Sequence, residues 1–563
     1  MWCYVPGSES TASDGSSETY AGRIGLTGCS ATLEGRKVRH PIMEDLIRNL
    51  LAINNSSQLG IEKTLAAMGH LIDLAGDQIN TDWLVHAVGV LETMAKQQLP
   101  NEQLAFLHYC RGNAFSLRRH ISRQGKQSAW EWQHDDLEQE IISLRVAAKS
   151  AVGSRLPPVL QCQILTNLAN ALNHVGRFVE AVAMWDAALA VDPRFGMAMA
   201  NKGYGLYHYA GSLYDSSHDR LFLKAAYDCL VAGLEAGVEP GASSSFKAQL
   251  DRIRTILPAE FLQHPFEQQA FSLGRSFAER QYREWCLNQR LFLNPVNDLG
   301  PHAIAAQDVF SVPSIVMPIS EGHHYHGFFN QMKQEFVSAR YLAFTGITAT
   351  RMHFSDKDVL VFDTLDYPSY CLAVEQQKSA FRTAYSLFDK IGFFLNHYMR
   401  LGIPERSVGF KTLWFAKQQI SHGLRQEFTA LENWPLRGLF WLAKDLYDDS
   451  PGFREALEPT ARRLAEVRNH LEHKYLKVHE DMWDGPPDPG DEARRAISDT
   501  LAFSIRRSDL SDSLMLVLRL TRAALIYLSL GVHAEERRRA NHRPASHKVV
   551  ANHLMTWPDR WKL

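Results

Sequence analysis

The chain has no Cys-x2-Cys pair, and its cysteines are few and scattered. Seven occur in 563 residues, at Cys3, Cys29, Cys110, Cys162, Cys229, Cys286 and Cys371. An odd, dispersed set fits neither a closed disulfide framework nor a zinc ribbon, and it points to a reducing cytoplasm. No Gly-x4-Gly-Lys-Ser/Thr, Gly-x-Ser-x-Gly or His-Glu-x2-His run occurs. P-loop ATP hydrolysis, serine esterase and zincin chemistry therefore lose their usual signatures. Charge of one sign is lacking too. The formal net charge is −2, so any contact with nucleic acid must come from a local basic patch. The N-terminus has no basic start followed by an apolar run, which argues against a secretory signal. The most apolar stretch, Leu514 to Val532, contains Arg519 and Arg522. Two arginines in a would-be span are costly, so it reads as a buried core helix with no role in a membrane. Alternating β-branched runs are scarce as well, and the chain reads as mainly α.

What is present suits two to four domains. Residues 1–38 are rich in Ser, Gly and Thr and read as a flexible tail. Helical patterning starts near Pro41. In the middle a repeat is visible: Asn167 to Leu172 returns as Asn201 to Leu206, 34 residues later. Small residues at Ala169, Ala181 and Ala188 allow close helix approach. Leu165, Leu168, Leu172 and Trp185 are placed to fill the space between repeats, and Pro193 ends the second helix. The pattern resembles the tetratricopeptide repeat, a helix pair of this period. Degenerate copies flank it at Arg111 to Phe115 and at Ala225 to Leu234, so a helical repeat array is expected over 39–257. Stacked repeats supply a concave surface for a protein or peptide partner, or else a plain scaffold.

Residues 258–380 read as a loop-rich connection that leads into the next domain, with short strands at 294–298, 313–318 and 359–362. Helical patterns then return at Phe381 to Arg400, Leu413 to Ile420, Leu436 to Leu446, Pro459 to Val478 and Asp512 to Leu530. These form a bundle over 381–535. Residues 536–563, with Arg537, Arg538, Arg539 and Arg543, read as a basic C-terminal tail whose plainest role is a solvated end.

The stretch Ala461 to Tyr475 carries the chemistry. At about 100° per residue, Leu464, Val467, Leu471 and Tyr475 share one arc, which must face the core. Arg468 lies at the edge of that arc and needs an acidic partner. Asn469 and His473 fall on the opposite side. A histidine can take the proton of a ribose 2′-hydroxyl while an arginine stabilises charge on the phosphate, so the pair can cleave RNA without a metal. Arg468 and His473 are five positions apart, about 140° around the helix, too far for one helix to hold both about a phosphate. Two copies related by a two-fold axis would solve this. Upstream, Arg382, Asp389 and Asn396 recur every seven residues as a polar stripe among Phe388, Ile391, Phe394 and Leu395. Asp389 is the candidate partner of Arg468, and Asn396 extends the stripe. Glu472, one turn after Arg468, is placed to orient it.

Arg468-Asn469, three further residues and His473, on a late helix of a C-terminal bundle, resemble the HEPN superfamily. Its pattern is Arg, then four to six residues with a polar one first, then His. With the helix holding Phe388 to Asn396, the arrangement is similar to a bacterial HEPN branch joined to tetratricopeptide repeats. The resemblance spans about 285–535, and the loop-rich 290–380 segment departs from a minimal HEPN bundle. It implies a homodimer, metal-independent endoribonuclease activity that leaves a 2′,3′-cyclic phosphate, no cofactor, and a role in toxin–antitoxin or antiviral defence. In this reading His473 is the general base, Arg468 stabilises the transition state, and Asn469 orients the phosphate or the imidazole. The competing class is a non-catalytic interaction or nucleotide-binding protein that uses the bundle only to dimerise or to hold its ligand.

Other constellations are weaker. His470, His473 and His479 with Glu472 invite a metal reading, but the first two diverge by about 60° on the helix. His323, His324, Tyr325 and His326 form the densest histidine cluster and read as a surface loop.

Overall fold

The computed structural model describes residues 41–562 apart from 124–129, 265–270, 319, 363, 447–460, 486–489, 493–494, 496–497, 500, 545 and 547. The expected tail at 1–38, with Cys3 and Cys29, lies outside the described residues. The architecture is mainly α. In chain order the helices are α1 Pro41–Leu51, α2 Ile61–Asp77, α3 Thr81–Ala95, α4 Asn101–Arg123, α5 Asp135–Ala151, α6 Pro158–His174, α7 Phe178–Val191, α8 Gly196–Ser212, α9 Ser216–Ala236 and α10 Pro240–Ile256. Then come α11 Ala259–Gln263, α12 Phe277–Asn288, α13 Val296–Leu299, α14 His324–Thr348, α15 Leu372–Tyr398, α16 Gln426–Thr429, α17 Trp434–Ala443, α18 Ala461–His473 and α19 Arg507–Asn541. Two strands, β1 Leu476–His479 and β2 Phe503–Arg506, pair in parallel with Leu476 opposite Phe503 and His479 opposite Arg506.

The N-terminal half is built of packed helix pairs, α4 on α5, α6 on α7 and α8 on α9. The connections are short and their signals local. Asn80 accepts from the backbone N–H of Asp82 at 3.0 Å and of Trp83 at 3.2 Å, capping α3. α7 stops at Val191, just before Pro193. Leu168, Leu172 and Trp185 are buried between pairs, as the pattern predicts. Leu165 is only half-buried, and Ile164 occupies the core instead.

The array does not stand apart from the C-terminal bundle. α1 to α4 enclose one small apolar core, whereas a second, continuous core runs from Ala105 through the helix pairs to Val532. The junction is a backbone contact. Gly176, in the turn between α6 and α7 at φ +89°, lies against α17, and a Cβ there would sit 2.2 Å from the carbonyl oxygen of Trp434. A Cβ on Gly438 would sit 2.1 Å from the Gly176 carbonyl oxygen, so neither position tolerates a side chain. Just beyond α17, Asp445 is fully buried and accepts from Arg145 at 2.6 and 3.1 Å and from Arg177. Lys444 pairs with Glu138. The hydroxyl of Tyr527 on α19 accepts from the Val179 N–H at 3.0 Å and donates to Glu180. Asn433 caps α17 by accepting from the Leu436 N–H at 3.0 Å, and its amide donates to the Gly531 carbonyl of α19 at 2.8 Å.

In the C-terminal half the sequence expectations need several corrections. The loop-rich region conceals α14, a 25-residue helix. His324 to His326 open that helix, with His323 at its N-terminal boundary, and form no loop. Tyr325 is buried, with its hydroxyl 2.8 Å from Nδ1 of His397. Residues 294–298 hold the short helix α13 in place of a strand. Leu413 to Ile420 forms no α-helix, only a 3-10 turn at Ala416–Gln418. In that turn Lys417 has φ +52°, and a bridge between Phe415 and Leu424 closes it. α15 begins nine residues before Phe381, at Leu372. α19 runs through residue 535 to Asn541, so Arg538 and Arg539 are helical and pair with Glu535 and Glu536. α19 is long and apolar enough to cross a membrane, but 83% of its apolar window is buried inside the protein, as a core helix requires.

Candidate active site

α18 packs on α15 and α19. Leu464, Val467 and Leu471 face the core at 1, 0 and 6% exposure. Tyr475 does not join them. The helix ends at His473, and Tyr475 is 37% exposed in the chain that leads into β1. Two contacts explain the early end. Arg382 of α15 donates to the Leu471 carbonyl through Nε at 3.2 Å and Nη2 at 2.5 Å, occupying an acceptor that the next helical turn would need. The Tyr475 carbonyl is taken by the Phe503 N–H of β2 at 2.9 Å.

Arg468 is half-buried, with its guanidinium 5.8 Å from the centre of the Tyr385 ring on α15. Its Nη1 donates to Oδ1 of Asn469 at 3.2 Å. One helical turn beyond Tyr385 stands Asp389, exposed to solvent. The protein around its carboxyl raises it above the usual carboxylate range, while the Phe410 N–H, Arg468 and Lys411 pull it back. Asp389 and Arg468 thus feel one another through space, and among the described residues no ion pair joins them. Glu472 is exposed and likewise forms no ion pair with Arg468 among the described residues. Its expected orienting role has no contact to carry it.

His473 and Asn469 are both exposed. The imidazole closes α18 and makes no hydrogen bond among the described residues. Arg468 and His473 are about 7.5 Å apart along the helix and about 140° around it. A single chain therefore presents the two groups to different directions.

Asn396 is not part of this cluster. It is 9% exposed, its amide donates to the Ile403 carbonyl at 2.8 Å, and its Oδ1 accepts from the Ile403 N–H at 3.1 Å. Both polar ends hold the turn after α15. The histidines of the metal reading also part company. His470 stacks on Phe503 at 4.7 Å, with Nδ1 2.8 Å from the Glu466 carbonyl. His479 is buried in β1 and stacks on Trp483 at 4.3 Å.

The sequence reading missed the element that follows the helix. Lys477 on β1 is 2% exposed and pairs with Asp366 at 2.7 Å and Asp499 at 3.1 Å. Burial would lower this amine, but the two carboxylates outweigh it and raise it above the usual lysine range. The Ser369 N–H donates to the Val478 carbonyl at 2.7 Å. The segment before α15 is thereby pinned beside the end of α18. A lysine in a short strand carries no local signal for this, because its partners lie more than twenty residues away on either side.

No curated protein matches the chain, and no solved structure does. Residues 317–535, the span that holds α14, α15, α17, α18 and most of α19, match the family described as LA2681-like HEPN.

Proposed function

We propose that the protein is a metal-independent endoribonuclease that acts as a homodimer. The observation that carries this reading is the placement of His473, which ends α18 exposed, inside the span that matches the HEPN family and five positions after a half-buried Arg468. His473 takes the proton of a ribose 2′-hydroxyl, and the freed oxygen attacks the adjacent phosphorus. The 5′-oxygen leaves and collects a proton from the corresponding imidazole of a second copy, leaving a 2′,3′-cyclic phosphate and a 5′-hydroxyl. Arg468 stabilises the charge on the pentavalent phosphorus, and Asn469, bonded to Arg468, steadies its guanidinium. The angular separation of Arg468 and His473 is the reason for two copies: a two-fold axis beside α18 brings two imidazoles to one groove.

The helix pairs of residues 39–257 fit a regulatory role in this reading, resembling tetratricopeptide repeats that meet a protein or peptide partner. A defence or toxin role in the cytoplasm would suit an enzyme held in check in this way.

The test incubates purified protein and His473→Ala with total RNA in EDTA. Cleavage by the wild type alone, with cyclic-phosphate ends, supports the proposal. Equal cleavage by both proteins, or none by the wild type as a dimer, removes it.

A further inference from the structure

A hollow of about 450 Å³ lies where α6, α8 and α9 meet α17. Its size falls within the range of roughly 300–1,000 Å³ usual for small-molecule sites. Its lining is aromatic, with Trp130, Trp434 and Tyr207 among its walls. His208 stands edge-on to Tyr207 at 5.4 Å and to Trp434 at 6.4 Å. Burial pushes His208 down to about 4, with Arg252 adding to the effect, so at neutral pH its ring joins the wall uncharged. Flat rings set at different angles around one space favour a flat ligand that can stack on one ring and meet the edge of another.

Two charged groups of opposite sign complete the lining. Arg437 is 1% exposed, sits over the face of Trp130 at 5.1 Å and donates to the His174 carbonyl at 3.0 Å. His174 is likewise held neutral, first by burial and then by Arg119, Arg437 and Arg123. Asp219 supplies a carboxylate whose Oδ1 is buried and has no hydrogen-bond partner among the described residues. A buried acceptor without a donor costs free energy that a ligand N–H would recover.

We propose that this hollow binds a guanine nucleotide. The base stacks against the aromatic walls, its adjacent N1–H and N2–H groups donate to Asp219, and its phosphate lies toward Arg437. Guanine has two neighbouring N–H donors on one edge, which a carboxylate accepts together. Adenine presents one amino donor beside a lone-pair nitrogen, which a carboxylate repels. The site belongs to the helix pairs and α17, away from the α15–α18 face, so it stands or falls independently of RNA cleavage. It also has a route to that face. α17 continues through Lys444 to Leu446, and that turn packs on α18. A ligand that ties Trp434 to α8 and α9 braces α17 and the turn that packs on α18.

Equilibrium dialysis of the full chain against labelled GMP, AMP and guanosine tests this. One GMP per chain is expected, bound at least about tenfold more tightly than AMP or guanosine. Asp219→Asn, partly exposed and so compatible with folding, should weaken GMP about tenfold and leave AMP unchanged. Tyr207→Ala should weaken both, with circular dichroism melting to show that each variant is folded. Absence of saturable GMP binding by the wild type overturns the proposal. So does AMP binding as tight as GMP, or wild-type GMP affinity in both folded variants.

Discussion

Arg382 of α15 holds the carbonyl of Leu471 with two hydrogen bonds, at 2.5 and 3.2 Å, and so decides where α18 stops. Because α18 stops there, His473 becomes a helix terminus in solvent instead of a mid-helix side chain. Hydrogen bonds from a charged donor to a helix's last carbonyls are among the stronger ones.

Arg382→Met keeps the aliphatic stem and removes both bonds. We expect a loss of about 1–2 kcal/mol in chemical denaturation, because Arg382 is partly exposed and water replaces some of the interaction. RNA cleavage should fall further than stability does, since the end of α18, and with it His473, would no longer be fixed. A variant with wild-type cleavage and wild-type stability would show that the cap does nothing for His473.

Gly438→Val should separate the helix pairs from the bundle. The first added carbon already overlaps the Gly176 carbonyl, with 2.1 Å between them, and backbone cannot swing aside as a side chain can. About 3 kcal/mol or more of destabilisation follows from such overpacking. Limited proteolysis should then open the connections around α17 before the rest of the chain.

Asp445→Asn leaves Arg145 and Arg177 buried against a neutral amide, which costs about 3–5 kcal/mol by analogy with other broken buried pairs. The same carboxyl makes the protein acid-sensitive. Burial would raise it, but Arg145 and Arg177 outweigh burial and hold it below the usual carboxylate range. Between the depressed folded value and the unfolded value near ~3.9, the unfolded chain binds more protons, so stability rises with pH there. The contribution is complete above that window and lost as pH falls through the folded value. Urea denaturation at a series of acid pH values should show this slope in the wild type and a shallower one in the variant.

Arg468→Lys keeps the positive charge and loses the planar fork. If Arg468 stabilises the phosphorane, the rate constant for cleavage should drop by about 10²-fold with RNA binding little changed. Rapid-mixing cleavage at saturating RNA separates the two. A loss confined to binding would demote Arg468 from catalysis to attachment.

Much of this was legible in local pattern. The spacing of Asn167 and Asn201 announced the helix pairs, and the arc of Leu464, Val467 and Leu471 announced the face of α18 and so the exposure of His473. Other features had no local signal. α14 opens on three aromatic or imidazole side chains, His324 to His326, with His323 just before them, and reads as loop until Tyr325 is seen buried against His397. β1 alternates apolar Leu476 and Val478 with polar Lys477 and His479, as a half-buried strand would, yet all four are buried, because Asp366 and Asp499 pair with the lysine and Trp483 stacks on the histidine. Asn396 looked like a member of the Asp389 stripe because the period was right, yet its amide serves the turn at Ile403.

Apolar periodicity alone settled where most helices form and which side of α18 faces water, because a helix buries whatever falls within one arc. Whether the repeat array moves free of the bundle was settled elsewhere, by two glycines 262 positions apart that meet backbone to backbone and by an aspartate shared between two distant arginines. Such contacts join residues that no local window contains, so chain order could not announce them.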